Sequence, residues 1–116
     1  MIAYKKLYHC KIQDSEDPSI YVYGAPIKKY LNYQPLSGYV DTLQYGDSVN
    51  KRWRLIVPLK GNENEYHKDD LLYLDGVEPD TESEDYVNGD GANARITVCK
   101  PQWRALVIEI EKIIER

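Results

Sequence analysis

Apolar and polar residues alternate along several short runs of the chain, which is the pattern of β-strands with one buried and one exposed face. The alternation is clearest over residues 27–34, 93–100 and 104–113. The third run also has helical spacing, but its alternation and its content of Ile and Val favour a strand. These three runs predict half-buried strands.

Four further apolar runs complete the predicted framework, at residues 4–12, 20–23, 52–58 and 70–74. Within the run 52–58, the unbroken apolar residues 55–57 predict burial on both faces. Turn-forming residues separate the runs. Six or seven short strands joined in this way predict a mainly-β fold, either a sandwich or, as we expect, a small antiparallel β-barrel with long loops.

The connections are predicted from their turn residues. Asp75-Gly76 is a strong tight-turn pair, and Pro101-Gln102 is expected to turn the chain before the last strand. Pro35 is expected to end the pairing of its run because it has no N–H to donate. Residues 39–45 fit either one or two turns of helix or an irregular loop, so we expect at most a short helix.

The length of 116 residues suits one domain, predicted over residues 1–116. The chain has no run of about 20 apolar residues and no apolar segment behind its first residues. We therefore expect neither a transmembrane helix nor a signal peptide. Cys10 and Cys99 each fall in a predicted strand, and without a secretory signal we expect reduced, buried thiols rather than a disulfide.

Tyrosine takes the place of phenylalanine throughout: the chain has eleven Tyr, two Trp and no Phe. Tyrosine combines an apolar ring with a hydroxyl that needs a partner, so many half-exposed rings are predicted. These rings either cap a thin core or serve subunit contacts, where Tyr and Trp are enriched. The formal net charge of −4 argues against a free-standing nucleic-acid-binding module, but not against a protein that surrounds DNA without gripping it.

Candidate catalytic and metal-binding residues are few. His9 lies in a predicted strand, where we expect it on the surface or half-buried, and His67 lies in a polar loop. The cysteines lack the spacing of zinc ligands, and no glycine-rich phosphate loop is present. We therefore expect no enzyme activity, no metal and no cofactor.

Two other groups are interpreted as exposed surface. Glu109 and Glu111 share the polar face of the last strand, alternating with aliphatic residues, so we expect an exposed face rather than a catalytic pair. Lys28, Lys29 and Tyr30 form a small basic and aromatic patch with no further basic residues clustered beside it, and we expect it to be solvated.

Residues 77–86, called the acidic segment below, contain no basic residue. Its carboxylates are Glu78, Asp80, Glu82, Glu84 and Asp85. Like charges at this density repel one another and predict a solvated loop. Residues 85–91 that follow lack the alternating ligands and the terminal Glu of a calcium loop, so we predict a hairpin turn there instead.

Several short motifs follow one another along most of the chain. They are Tyr-Leu-Asn-Tyr-Gln-Pro-Leu-Ser-Gly at 30–38, Tyr-Gly-Asp-Ser-Val-Asn at 45–50, Arg-Leu-Ile-Val at 54–57, Lys-Asp-Asp-Leu-Leu-Tyr-Leu-Asp-Gly at 68–76, and the strand pair 94–100 and 106–112. In this order the chain resembles the small head-closure, or stopper, proteins that connect head and tail in long-tailed bacteriophages. The acidic segment has no counterpart that we can match in that family.

The resemblance implies a virion structural protein without catalysis or cofactor. Such proteins look like small β-barrels that form a ring, here of six or twelve copies, beneath the portal and its adaptor. The ring retains packaged double-stranded DNA and offers a docking surface to the tail terminator or tail tube. This implies a protein assembled in the host cytoplasm and located at the head–tail interface of the virion, with no membrane partner and no sequence-specific DNA contact.

Two loops are expected to make these contacts. The first, residues 39–50, is expected to narrow the channel and to meet DNA or a neighbouring subunit. Its contact residues are Tyr39, Asp41, Gln44, Tyr45, Asp47 and Asn50. In the acidic segment, Asp80, Glu82, Glu84 and Asp85 are expected to face the channel or the neighbouring ring, because an acidic wall repels DNA and lets it slide.

Two alternatives stay open. A tail-completion (terminator) protein would occupy a neighbouring place in the phage neck, whereas a portal adaptor is disfavoured because adaptors tend to be helical. A small-barrel oligonucleotide-binding module would need a basic and aromatic face, which the tyrosine-rich composition supplies only in part.

Overall fold

The structure, a computed structural model, describes residues 4–13, 20–35 and 52–113. These residues form nine β-strands and no helix. The strands are β1 (Lys5–Cys10), β2 (Ile12–Gln13), β3 (Val22–Tyr23), β4 (Ile27–Leu31), β5 (Tyr33–Pro35), β6 (Arg52–Pro58), β7 (Leu71–Tyr73), β8 (Ala94–Gln102) and β9 (Ala105–Lys112). The predicted mainly-β fold is therefore confirmed.

Seven of these strands form one antiparallel sheet in the order β4-β1-β7-β8-β9-β6-β5, while β2 and β3 pair separately. The two edge strands, β4 and β5, follow each other in the chain with Asn32 alone between them. One residue spans only a few ångströms, so the two edges of the sheet must approach each other at Asn32. The sheet accordingly curls into a half-barrel, consistent with the barrel-like fold that the strand pattern predicts.

The concave side of the half-barrel holds the main core. In β9, Leu106, Ile108 and Ile110 are buried, as the alternation predicts, and this run is a strand rather than a helix. They pack with residues from five other strands and from two loops: Leu7, Tyr33, Leu55, Val57, Tyr66, Leu72, Leu74, Ala94 and Ile96. A smaller cluster of Cys10, Tyr73 and Ala92 lies beside this core.

The alternation predicted for β8 breaks at Thr97. Ile96 pairs with Ile110 and Val98 with Glu109, so Thr97 is an extra residue in the ladder, a β-bulge. A bulge reverses which face the following residues occupy. Val98 is consequently 39% exposed, and Cys99 packs against the core instead.

Two further details correct the sequence predictions. Ile56 is 61% exposed, whereas its neighbours Leu55 and Val57 are buried. Strand β6 is therefore buried on one face only, and not on both faces as predicted. Pro101 and Gln102 belong to β8 and pair with β9, so the turn is formed by the next two residues, Trp103 and Arg104. A proline without an N–H is tolerated there because it ends a long ladder.

Other boundaries differ by single residues. The run 27–34 is interrupted at Asn32, and Pro35 still pairs with Trp53 as the last residue of β5. Both cysteines are free: Cys10 is buried and Cys99 half-buried. The predicted channel loop, residues 39–50, lies outside the described residues, so its role stays a prediction. This applies to its six contact residues, Tyr39, Asp41, Gln44, Tyr45, Asp47 and Asn50. Among the described residues, no helix is long and apolar enough to cross a membrane.

Candidate functional site

A histidine and an aspartate form a fully buried pair at one end of β1. His9 Nε2 lies 2.7 Å from Asp70 Oδ2, and neither side chain is exposed. His9 was expected at or near the surface, and that expectation is wrong. The signal was present in the sequence, because His9 falls two residues after Leu7 and therefore on the same buried face of the strand.

Asp70 accepts hydrogen bonds from three different segments. Besides His9, its Oδ2 accepts from the backbone N–H of His67 at 3.0 Å, and its Oδ1 accepts from the N–H of Ile12 at 2.8 Å. The carboxylate thereby joins the loop 59–70 to the start of β2 and to the end of β1. A buried carboxylate is stable only when its oxygens are satisfied in this way.

The network extends from His9 towards the surface through Lys29. The Lys29 ammonium donates to His9 Nδ1 at 3.0 Å and to Glu65 Oε1 at 2.8 Å, and Lys11 donates to Glu65 Oε2 at 2.8 Å. Because Nδ1 accepts a hydrogen bond from the Lys29 ammonium, the hydrogen of neutral His9 sits on Nε2 and points at Asp70. Two lysines and two carboxylates balance the charge of this His9 cluster.

The ring of Tyr66 covers the cluster. It stacks on the His9 imidazole with ring centroids 5.0 Å apart, and the Lys29 ammonium lies 4.3 Å from its centroid. Lys29 is therefore committed to these contacts and does not belong to an exposed patch with Lys28 and Tyr30, as the sequence suggested. Lys28 and Tyr30 remain on the surface.

The electrostatics of the cluster follow from its burial and its ion pairs. Burial lowers the pKa of His9 below its ordinary 6.5, and this effect outweighs the hydrogen bond that His9 donates to Asp70, which raises the pKa. The hydrogen bonds from Lys11 and Lys29 lower the pKa of Glu65 to about 2. Burial also raises the pKa of Tyr66 to about 12. His9 is thus neutral and Glu65 ionised at neutral pH.

This arrangement positions strands and does not present a reactive group. His9 and Asp70 have no exposed surface through which a substrate could reach them in this conformation. The side chains of His67 and Asp69 are not part of the His9 cluster, and His67 is exposed as expected. Within residues 4–13, 20–35 and 52–113, no group of three or more His, Cys, Asp or Glu side chains is arranged to hold a metal ion.

A second buried contact joins two of the motifs on which the family resemblance depends. The hydroxyl of Tyr33, at the start of β5, donates to Asp75 Oδ1 at 2.9 Å and accepts from the Asp75 N–H at 3.0 Å. Asp75 and Gly76 both have positive φ, 57° and 84°, as a type I′ turn requires. The predicted Asp-Gly turn is confirmed, and Tyr33 holds it.

The acidic segment lies between β7 and β8 and is exposed, with turns at residues 81–82 and 84–85. It is attached at both ends: Lys6 Nζ lies 2.6 Å from Glu78 Oε1, and the hydroxyls of Tyr73 and Tyr86 lie 3.2 Å apart. No ion pair among the described residues involves its other carboxylates, which are Asp80, Glu82, Glu84 and Asp85. The predicted solvated loop is therefore present, whereas its role stays a prediction.

The outer face of β6, β9 and β8 carries a ladder of ion pairs. Arg54 pairs with Glu109 at 3.4 Å, and Glu111 lies 3.9 Å from Arg52 and 3.7 Å from Arg95. The side chain of Glu109 is only 12% exposed, so the expected open carboxylate face is instead half-covered by arginines. These cross-strand pairs support the sheet.

In the turn between β8 and β9, the side chain of Trp103 is almost completely exposed. It is 94% exposed and has a φ of 57°. The two-residue loop Trp103–Arg104 has a positive φ at its first position alone, as in a type II′ turn, where glycine is the usual residue. Lys100 and Arg104 are exposed in the same hairpin. Lys60 is exposed in the neighbouring loop, where the Leu59 N–H donates to the Arg104 carbonyl at 2.9 Å.

Sequence reasoning missed both of these features. Trp103 falls in a segment where the turn was expected two residues earlier, and the ion-pair ladder depends on strand neighbours that are far apart in the chain. Comparisons with known proteins add no relative: no protein-family model, no curated protein and no solved structure matches the chain.

Proposed function

We propose that this protein is a head-closure protein of a long-tailed bacteriophage. It forms a ring of identical subunits beneath the portal and its adaptor, retains the packaged DNA and offers the tail a docking surface. It works as a structural part of the virion neck, without catalysis or cofactor.

The observation that supports this proposal best is the contact between Tyr33 and Asp75. Tyr33 belongs to the motif at 30–38 and Asp75 to the motif at 68–76, the two longest segments of the resemblance. They are 42 residues apart in the chain, yet two hydrogen bonds join them in a small half-barrel of the kind that the resemblance implies. Motifs that meet in space are stronger support than motifs that only follow one another in order.

The charge distribution agrees with a conduit for DNA. The acidic segment is exposed, and its carboxylates Asp80, Glu82, Glu84 and Asp85 are free to act on a nearby polyanion. Double-stranded DNA carries a phosphate charge about every 1.7 Å of its axis, so a basic wall would hold it and an acidic one lets it pass. We propose that this segment faces either the channel or the neighbouring subunit, and in either position it adds no surface that would hold the DNA.

The proposal is tested by binding to the portal–adaptor complex from the same genome. Size-exclusion chromatography with light scattering should show the protein eluting with that complex, and cryo-electron microscopy of the product should show an added ring. A chain that never elutes with portal and adaptor, at any mixing ratio, would contradict the proposal. The variant Tyr30→Phe, which loses only an exposed hydroxyl, serves as the control and should elute as the wild-type protein does.

One observation keeps an oligonucleotide-binding role as the second candidate. Tyr30 is 58% exposed, and the Lys28 ammonium lies 5.7 Å from its ring centroid, which is a small basic and aromatic surface. Fluorescence anisotropy with single-stranded DNA at low salt separates the two. Binding that Tyr30→Ala abolishes would favour this second candidate, because such proteins stack bases on aromatic rings.

A further inference from the structure

We propose that two copies of this chain associate head to tail, with the acidic segment of one copy docked on the basic end of the next. The basic end consists of Trp103 with the exposed side chains of Lys60, Lys100 and Arg104. The inference deepens the proposed function, because it names the two surfaces that a ring of this protein would use.

The basic end has the properties of a docking surface. Trp103 exposes nearly its whole indole and is fixed in a left-handed backbone conformation, which is unfavourable for a residue other than glycine. Trp and Arg are the residues most often found at the energetic centres of protein interfaces. An exposed tryptophan next to exposed cations therefore points to a partner that is both acidic and partly apolar.

The positive charges of the basic end are not balanced within the part of the subunit that the structure describes. No ion pair among the described residues involves Lys60, Lys100 or Arg104. In the loop 59–70, Glu65 pairs with Lys11 and Lys29, and Asp70 lies in the buried pair with His9. The carboxylate of Glu63 accepts a hydrogen bond from the Gly61 N–H at 3.0 Å. The end therefore carries an excess of positive charge.

The acidic segment offers the complementary surface. No basic residue lies between Lys68 and Arg95, and two exposed valines, Val77 and Val87, flank the carboxylates. It therefore combines negative charge, which complements the cations of the basic end, with apolar side chains, which complement the indole of Trp103. Complementary charge of this kind steers association and fixes which surfaces meet.

The two surfaces lie at opposite ends of one strand. The acidic segment leads into the beginning of β8 at Ala94, and the basic end follows its last residue, Gln102. At about 3.3 Å a residue, eight steps along a strand separate these ends by roughly 25 Å. The two surfaces cannot neutralise each other within one subunit, whereas in a head-to-tail pair each satisfies the other, and repetition of that contact builds a ring or a filament.

A charge swap tests the inference. The first variant, Lys100→Glu with Arg104→Glu, changes the charge of the basic end from +3 to −1. The second, Asp80→Lys with Glu82→Lys and Glu84→Lys, changes the charge of the acidic segment from −5 to +1. Each variant alone places like charges at every contact, whereas an equimolar mixture places opposite charges at every contact. Circular dichroism should show that both variants are folded, since all five positions are exposed.

Association is measured by sedimentation velocity and by concentration-dependent amide NMR shifts, from micromolar to millimolar protein at low salt. We expect the wild-type protein to self-associate, each variant to do so at least tenfold more weakly, and the mixture to recover wild-type association. High salt should weaken both the self-association of the wild-type protein and the association in the mixture, because exposed charges are screened. The variant Trp103→Gly, which keeps the turn, should also weaken self-association at least tenfold.

Three results would overturn the inference: a wild-type protein that stays monomeric at millimolar concentration and low salt, variants that associate as the wild type does, or a mixture no better than its components. Failure of the proposed function looks different. In that case the charge swap behaves as expected, but the protein does not elute with portal and adaptor. Conversely, a ring that assembles on portal and adaptor from the first variant alone would keep the function and refute this contact.

Discussion

His9 Nε2 donates a hydrogen bond to Asp70 Oδ2 across 2.7 Å, although the two residues are 61 positions apart in the chain. This hydrogen bond connects the end of β1 to the loop that precedes β7, and β1 pairs with β7 directly. The pair therefore stands where the N-terminal strands meet the rest of the half-barrel. Its loss should be felt by the whole fold.

Replacing Asp70 by alanine removes three hydrogen bonds at once. The N–H groups of Ile12 and His67 and the imidazole of His9 would each lose their acceptor in a partly or fully buried place. We expect the free energy of unfolding to fall by about 3 kcal/mol or more. Urea denaturation measures this, with Asp80→Ala, an exposed carboxylate, as the control that should change by no more than about 0.5 kcal/mol. Equal effects of the two substitutions would refute the role of Asp70.

Stability should depend on pH through His9. Its pKa in the folded protein is lower than in the unfolded chain, so below about pH 6.5 the unfolded chain takes up the proton first. The contribution is therefore fully present above pH 6.5 and is lost as the pH falls, by at most about 1.4 kcal/mol per pH unit. The variant His9→Gln, whose amide can still donate to Asp70, should flatten the profile of unfolding free energy below about pH 6.5. An unchanged slope would contradict the assignment.

Glu65 should act in a separate and more acidic range. Its pKa is lowered from 4.5 to about 2 by Lys11 and Lys29, so its contribution is present above pH 4.5 and is lost as the pH falls through about 2. The variant Glu65→Gln should remove that part of the acid sensitivity, whereas the loss of stability below about pH 6.5 should remain because His9 is still buried. Thermal melts at closely spaced pH values measure both. Glu63→Gln, in the same loop but without a lysine partner among the described residues, is the matched control.

Tyr33→Phe removes a single hydroxyl from a buried ring. That hydroxyl makes two hydrogen bonds to Asp75, and the phenyl ring still fills the same space. We expect a loss of about 1 kcal/mol in the free energy of unfolding, because Asp75 is exposed and water replaces part of what is lost. In the control Tyr30→Phe, the hydroxyl is on the surface and the change should be within about 0.5 kcal/mol. If Tyr33→Phe were as neutral as its control, the turn would be held by other contacts.

Trp103→Gly should stabilise the monomer. The first position of this two-residue turn has a φ of 57°, which glycine adopts without steric cost. We expect a gain of about 1 kcal/mol from the relief of strain, less the entropy of the more flexible unfolded chain. Arg104→Gly is the control: its φ is not positive, so the same replacement should destabilise. A less stable Trp103→Gly variant would mean that the indole packs on the sheet after all.

The sequence predicted those strands in which one apolar face repeats without interruption. The run 52–58 matches β6 residue for residue, and β9 is a strand because its alternating Leu and Ile side chains fill the concave core. The Asp75-Gly76 turn was predictable because its conformation depends on the two residues themselves. In each case the controlling interaction is local.

The remaining features depend on partners that are distant in the chain. Thr97 becomes a bulge only because β8 pairs with β9 in a shifted register, and the exposure of Val98 follows from that shift. Lys29 does not belong to the predicted surface patch, because its ammonium group donates hydrogen bonds to Glu65 and His9. No short window of sequence contains these partners, so no periodicity could have indicated them.

The single residue between β4 and β5 sets a limit on how the length of this protein can vary. Side chains alternate along a strand, so one residue inserted beside Asn32 would turn Tyr33 from the core to the solvent and break its contact with Asp75. The acidic segment, in contrast, is exposed and anchored at its ends, so it could gain or lose residues without disturbing the sheet. Natural variants of this chain should therefore differ in length within residues 77–86 and keep one residue between β4 and β5.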